Sequence, residues 1–160
     1  MTATWGLDPH IPIPVRITGI PPPQGRAGRQ KVERELEKAI DIHPGNLHAY
    51  HDRGFAYVRS GNYLQAINNC DRAIELDPQY AEAYQTKGEA YGFLGNYEQA
   101  IKQFDRAIEI DPKYAQAYYH RGLAYANLGK HRKAMQDINI AAKLGDRKAQ
   151  EMLKPSPIYR

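Results

Sequence analysis

Three histidines fall within nine positions, His43, His48 and His51, in the stretch HPGNLHAYHDRGFAY. A His-x-x-His pair on a helix sets two imidazoles about 5–6 Å apart at Cβ, near enough to share a metal ion. A closed zinc site needs four ligands at roughly 2.0–2.3 Å from the ion. His43 precedes Pro44 and stands before the start of the helix that would carry the pair, which leaves Glu82 as the one further candidate ligand. Two rings and one carboxylate fall short, so no metal is expected. Cys70 is the single thiol, and its spacing from Ala66 and Ala73 puts it on an apolar helical stripe, where a sulfur packs rather than reacts. There is no phosphate-cradling glycine loop, no nucleophile elbow and no Cys-x-x-Cys. No catalytic residue and no cofactor are expected, and the chain does not read as an enzyme.

The composition narrows the alternatives. At 160 residues and 42% hydrophobic, the chain is long enough for a domain with a core. One cysteine excludes an intrachain disulfide and suits a reducing compartment. No apolar run approaches the roughly 18–20 residues that span a bilayer. The start, MTATWGLDPHIPIP, lacks the basic and apolar blocks of a secretory signal. A cytoplasmic location with no membrane partner is therefore expected. The net charge of +4 is uneven: residues 1–31 carry +3, residues 32–129 carry −4 and residues 130–160 carry +5. Nucleic-acid binding favours a continuous basic face interleaved with aromatics, whereas most of the twelve tyrosines here lie in the acidic middle. No nucleic-acid partner is expected.

What positions the histidines is a repeat. Residues 47–80, 81–114 and 115–148 align without a gap at a period of thirty-four. Fixed places hold Tyr50, Tyr84 and Tyr118; Gly54, Gly88 and Gly122; Tyr57, Tyr91 and Tyr125; Ala66, Ala100 and Ala134; and Ala73, Ala107 and Ala141. The 4–3 spacing in each half-repeat puts the recurring residues on one helical face, so each repeat predicts two antiparallel helices. Gly61, Gly95 and Gly129 separate the halves, where a left-handed residue ends the first helix. Asp77-Pro78 and Asp111-Pro112 read as an N-cap followed by proline at the first helical position. The mid-helix glycines cost about 1 kcal/mol each against alanine, and their recurrence opposite Ala66, Ala100 and Ala134 predicts close helix approach.

With Tyr50-x3-Gly54-x2-Tyr57, Ala66-x3-Cys70-x2-Ala73 and Pro78, matched in the next two repeats, residues 47–148 closely resemble the tetratricopeptide repeat family. Arg53, Lys87 and Arg121 depart from it at a place often held by leucine, and Asp146 stands where proline is expected. The resemblance implies an all-α, right-handed α-solenoid of helix-turn-helix repeats whose concave groove binds a peptide segment of another protein in a scaffold or adaptor role. It also implies which residues face that groove: His48, His51, Asp52, Phe55 and Arg59; Glu82, Gln85, Thr86, Glu89 and Phe93; Gln116, Tyr119, His120, Leu123 and Asn127. Phe55, Phe93 and Tyr119 would anchor the ligand, and the polar members would set its register. One subfamily grips the C-terminal carboxylate of heat-shock chaperones with Lys, Asn, Asn, Lys and Arg. Here those places hold His51, Phe55, Thr86, Gln116 and His120, so that clamp is absent and such partners are not expected.

The ends are irregular. Residues 30–46 match the second half of a repeat whose first half is missing, with Val32, Leu36, Ala39 and Ile40 at helical spacing. Residues 1–29 form a proline-rich arm, extended or disordered, with five prolines between positions 12 and 23. Its Ile11, Ile13, Val15, Ile17 and Ile20 could cover residues 32–40 as a substitute cap, since a solenoid end must cover its apolar face. The arm or an array end could instead join copies of the chain to one another. Residues 146–154 read as a C-terminal capping helix closed by Pro155, and 155–160 as a tail.

Overall fold

The computed structural model describes residues 25–155, and these form eight α-helices. They are α1 (Arg26–Ile42), α2 (Leu47–Ser60), α3 (Tyr63–Leu76), α4 (Ala81–Phe93), α5 (Tyr97–Ile110), α6 (Ala115–Asn127), α7 (His131–Lys143) and α8 (Arg147–Met152). The pairs α2–α3, α4–α5 and α6–α7 are the three repeats, and each helix packs on the next in sequence. Across repeats, α2 touches α4 and α4 touches α6, so these first helices line the inner side of an all-α solenoid. The expected cover formed by Ile11 to Ile20, and the tail from 156, lie outside the described residues.

Small residues let the helices approach. Ala66, Ala73, Ala83, Ala100, Ala107, Ala117, Ala124 and Ala141 have no exposed surface, and Cys70 and Phe104 are the largest side chains fully enclosed. Each mid-helix glycine faces the following helix, and Gly54 and Gly122 lie against the backbone oxygens of Ala66 and Ala134, 3.3 and 3.1 Å from where a Cβ would stand. A Cβ on Gly54 would meet Cys70 Sγ at 3.0 Å, and one on Gly122 would meet Ile138 Cδ1 at 3.0 Å. One on Gly88 would lie 2.5 Å from the Phe104 ring, so a side chain there and the phenyl ring compete for one space. Gly61 ends α2 at φ 82°, as the spacing predicts, with its N–H bonded to the carbonyls of Tyr57 and Val58.

Two boundaries differ from the sequence reading. The first helix runs back to Arg26 rather than starting near residue 30, so the arm stops at Gly25, whose φ of 81° breaks the helix. Its other end is Ile42, with residues 43–46 forming the turn into α2. The Asp-Pro pairs do not cap α4 and α6. Asp77 Oδ1 accepts from Gln79 N at 2.9 Å and Asp111 Oδ1 from Lys113 N at 2.9 Å, which is cap-like geometry around a single turn. Extended backbone at Tyr80 (φ −83°, ψ 91°) interrupts that turn, and α4 starts only at Ala81.

The basic residues that depart from leucine hold second helices. Arg121 donates to both carboxylate oxygens of Asp137 on α7, at 2.7 and 2.8 Å, and to Asp105 on α5 at 2.7 Å. Lys87 reaches back to Asp71 on α3 at 2.6 Å, and Arg53 donates to Asn69 on α3 at 2.7 Å.

Candidate functional site

The fifteen residues singled out from the sequence lie on α2, α4 and α6, but not on one open surface. His48, Asp52, Phe55, Glu82 and Gln116 are exposed; His51, Arg59, Phe93, Tyr119 and Asn127 are half-buried. Gln85, Thr86, Glu89, His120 and Leu123 are buried. The small residues between inner helices explain this. With Ala83 and Ala117 fully enclosed, α4 is drawn against both neighbours and its inner side chains are covered.

The histidines of the first repeat converge on a tyrosine hydroxyl. His48 Nδ1 and His51 Nδ1 each lie 3.3 Å from Tyr80 Oη, and both rings meet the Tyr80 ring edge-on at centroid distances of 5.3 and 5.2 Å. His51 Nε2 lies 3.1 Å from Thr86 Oγ1, which ties α2 to α4. Burial pushes the His51 pKa below the ordinary histidine value, against the opposing pull of Asp52. Burial also raises the Tyr80 phenol to about 12, with Glu82 and Asp52 adding to the shift. These imidazoles are engaged with a hydroxyl pair, and among the described residues no group of three His, Cys, Asp or Glu side chains is arranged to hold a metal ion.

Deeper in the groove lies a polar cluster between α4 and α6. Glu89 is 8% exposed and its Oε1 accepts from Gln85 Nε2 at 2.8 Å. His120, also 8% exposed, sets Nε2 3.6 Å from the same oxygen. Its ring packs at 5.9 Å from that of Phe104 and at 5.2 Å, edge-on, from that of Tyr119. Burial holds the His120 pKa below the usual value, opposed by Glu89. Two atoms of this cluster, Gln85 Oε1 and His120 Nδ1, are enclosed and have no hydrogen-bond partner.

The three expected anchors separate. Phe55 is 40% exposed, with the Arg59 guanidinium 5.7 Å from its ring centre. Tyr119 is half-buried with Lys148 Nζ at 5.9 Å. Phe93 stacks on Tyr63 at 5.1 Å and packs against Val58, Ala66 and Ala90, so it serves the core. Asn127 bonds back to the Leu123 carbonyl at 2.8 Å. Tyr80, absent from the predicted set, joins this surface through its contacts with His48 and His51, and Tyr114 is half-buried at the same place of the next repeat. Burial raises the Tyr114 phenol, and Glu82, Glu89 and Tyr80 add to the effect. Their sequence signal was their recurrence at the last place of a repeat, one residue before an inner helix.

Profiles described as TPR repeat or tetratricopeptide repeat match residues 48–80, 69–102, 88–129 and 115–144. No curated protein matches the chain. Among solved structures, a crystal structure of MamA is 28% identical over 74% of this chain and 70% of its own, with a TM-score of 0.68. The TPR domain of Arabidopsis OM64 is 26% identical over 68% and 93%, at a TM-score of 0.62. The first TPR of Spaghetti (RPAP3), bound to the HSP90 peptide SRMEEVD, shares the fold at 24% identity over 67% and 86%, at a TM-score of 0.63.

Proposed function

Because this chain belongs to the tetratricopeptide repeat family, a fold of protein–protein interaction, we propose that its inner face holds a peptide segment of a partner and that the protein works as a non-catalytic scaffold or adaptor. The observation that carries this reading is the row of three inner helices with Phe55 exposed beside Asp52 and Arg59 at one end and Tyr119 half-exposed beside Gln116 at the other. An aromatic ring with a polar rim is the usual composition of a binding hot spot. Phe93 is withdrawn from the anchor set because its ring is committed to Tyr63.

Site-specific photo-crosslinking tests the reading. A benzophenone amino acid at position 55 or 119 is expected to capture a partner from the source cell, while the same probe at Glu75 or Glu109, on the outer helices α3 and α5, does not. Equal capture from both faces would overturn it. A second reading, self-association through the array's first helix, is favoured by the exposure of Val32 (46%) and Ile42 (69%) on α1. A molar mass that rises with concentration and returns to monomer on Val32→Glu supports it; a constant monomer mass excludes it.

A further inference from the structure

The buried cluster on α4 and α6 has acceptors in excess. Glu89 receives one hydrogen bond, from Gln85, and the nearest ring, His120, holds its Nε2 3.6 Å away, beyond hydrogen-bond distance. Gln85 is only 2% exposed, and its Oε1, the other end of the amide that binds Glu89, has no donor. A buried acceptor without a donor and a buried carboxylate with a single hydrogen bond are both costly, and one incoming group could satisfy both. The acidic character continues outward. Glu82 is exposed one turn before Gln85 on the same helix. A group that donates several hydrogen bonds, carries positive charge and tolerates an aromatic face fits this set, and guanidinium meets all three conditions better than ammonium.

We propose that the groove at α4 and α6 selects a basic side chain of the bound peptide, arginine before lysine, with Glu89 and Gln85 Oε1 as acceptors and Glu82 at the mouth. The proposal rests on the reading of the inner face as a peptide site. It reverses the charge preference of a carboxylate clamp: the ligand is recognised by a cation within its sequence, not by an acidic end.

The test uses the full chain, isotope-labelled, titrated by NMR with four blocked nonapeptides of Gly, Ala and Ser. These differ only in a central arginine, lysine, citrulline or glutamate. The arginine peptide is expected to move the Gln85 side-chain amide and the His120 ring signals, with a Kd at least about tenfold below that of the citrulline peptide. Glu89→Gln is expected to bring the two affinities together. Glu82→Gln, an exposed substitution that leaves folding intact, should remove part of the difference. Discrimination that survives Glu89→Gln overturns the proposal. Equal shifts of inner-face signals by all four peptides overturn it and leave the peptide-groove reading standing. Shifts confined to α1 or the outer helices, or no shifts at all, overturn both.

Discussion

Single atoms decide the outcome at Gly88 and His120. A Cβ at Gly88 would stand 2.5 Å from Phe104, so Gly88→Ala is expected to destabilise the protein by up to about 2 kcal/mol, an overpacking penalty of roughly 1–3 kcal/mol less the helix gain of about 1 kcal/mol. Chemical denaturation checks this, and Phe104→Leu should recover part of the loss in the double variant; strict additivity would show that the ring is not the obstacle. His120 gives a pH prediction. Burial lowers its pKa in the folded state, with Glu89 and Asp146 opposing and Lys148 reinforcing, while the unfolded side chain titrates near 6.5. The unfolded state then binds more protons, so this contribution is complete above about pH 6.5 and is lost as pH falls through the lowered value. His51 acts in the same direction. Calorimetry from pH 7.5 to 5 should show a falling melting temperature, and His120→Gln should flatten the slope; an unchanged slope would assign the acid sensitivity elsewhere. Neither histidine's environment was legible in the sequence. Repeat register places both residues on an inner face, but their burial depends on how closely α4 approaches its neighbours, a distance set jointly by alanines on several helices.

Helices and their ends were the most legible scale. The 4–3 spacing of Tyr50, Gly54 and Tyr57 and of Ala66, Cys70 and Ala73 is the direct imprint of two packed helical faces, and the helices fall where it puts them. Asp77 was harder to read, because its side chain makes the same bond to the residue two ahead whether it caps a long helix or a lone turn. Only the extended backbone of Tyr80, imposed by the route into the next repeat, separates the two outcomes. At the C-terminal end Asp146 Oδ1 accepts from Ala149 N at 2.8 Å and caps α8, which is shorter than the 146–154 expected and covers Ile138 and Ala141 through Ala149 and Leu153 while Met152 stays exposed. A six-residue helix has few bonds to spare, so loss of one cap weighs heavily. Asp146→Ala is expected to cost about 1 kcal/mol, seen by hydrogen exchange as lost protection over residues 147–152 with little change in α4. Uniform loss across the array would mean that α8 does not open alone. Cys70 gives an independent probe of such openings: burial raises its thiol to about 12, so alkylation should track unfolding of the first repeat rather than thiol reactivity.

Over the whole molecule, the stapling of second helices is graded. Arg121 bridges the outer helices of two repeats, Lys87 reaches only the preceding one, and Arg53 reaches only its own. In repeat register Glu37 of α1 takes the place of Asp71 and Asp105, yet Arg53 turns to Asn69, and a cleft of about 350 Å³ lined by Glu33, Arg34, Glu37, Arg53 and Tyr57 opens beside the contact of α1 with α2. A linear array transmits stability only between neighbours, so coupling strengthens from α1 toward α7, and α1 should exchange its amides first. The strongest staple is also the most exposed to mutation. Asp137 is buried and receives two of the three Arg121 bonds, so Arg121→Met leaves an unpaired carboxylate against the core. Breaking a buried pair from one side typically costs about 3–5 kcal/mol; because the Arg121 guanidinium is partly exposed, about 3 kcal/mol is expected here. Replacing both partners, Arg121→Met with Asp137→Leu, removes the stranded charge and should return most of that stability, while Asp105 is left free in a more open setting. Equilibrium denaturation of the two variants decides between two accounts of this position. Recovery in the double variant means the arginine serves chiefly to neutralise Asp137. A loss that persists means the link to Asp105 on α5 is what joins the second and third repeats, and the transition of the single variant should then split, with α6–α8 melting before α2–α5.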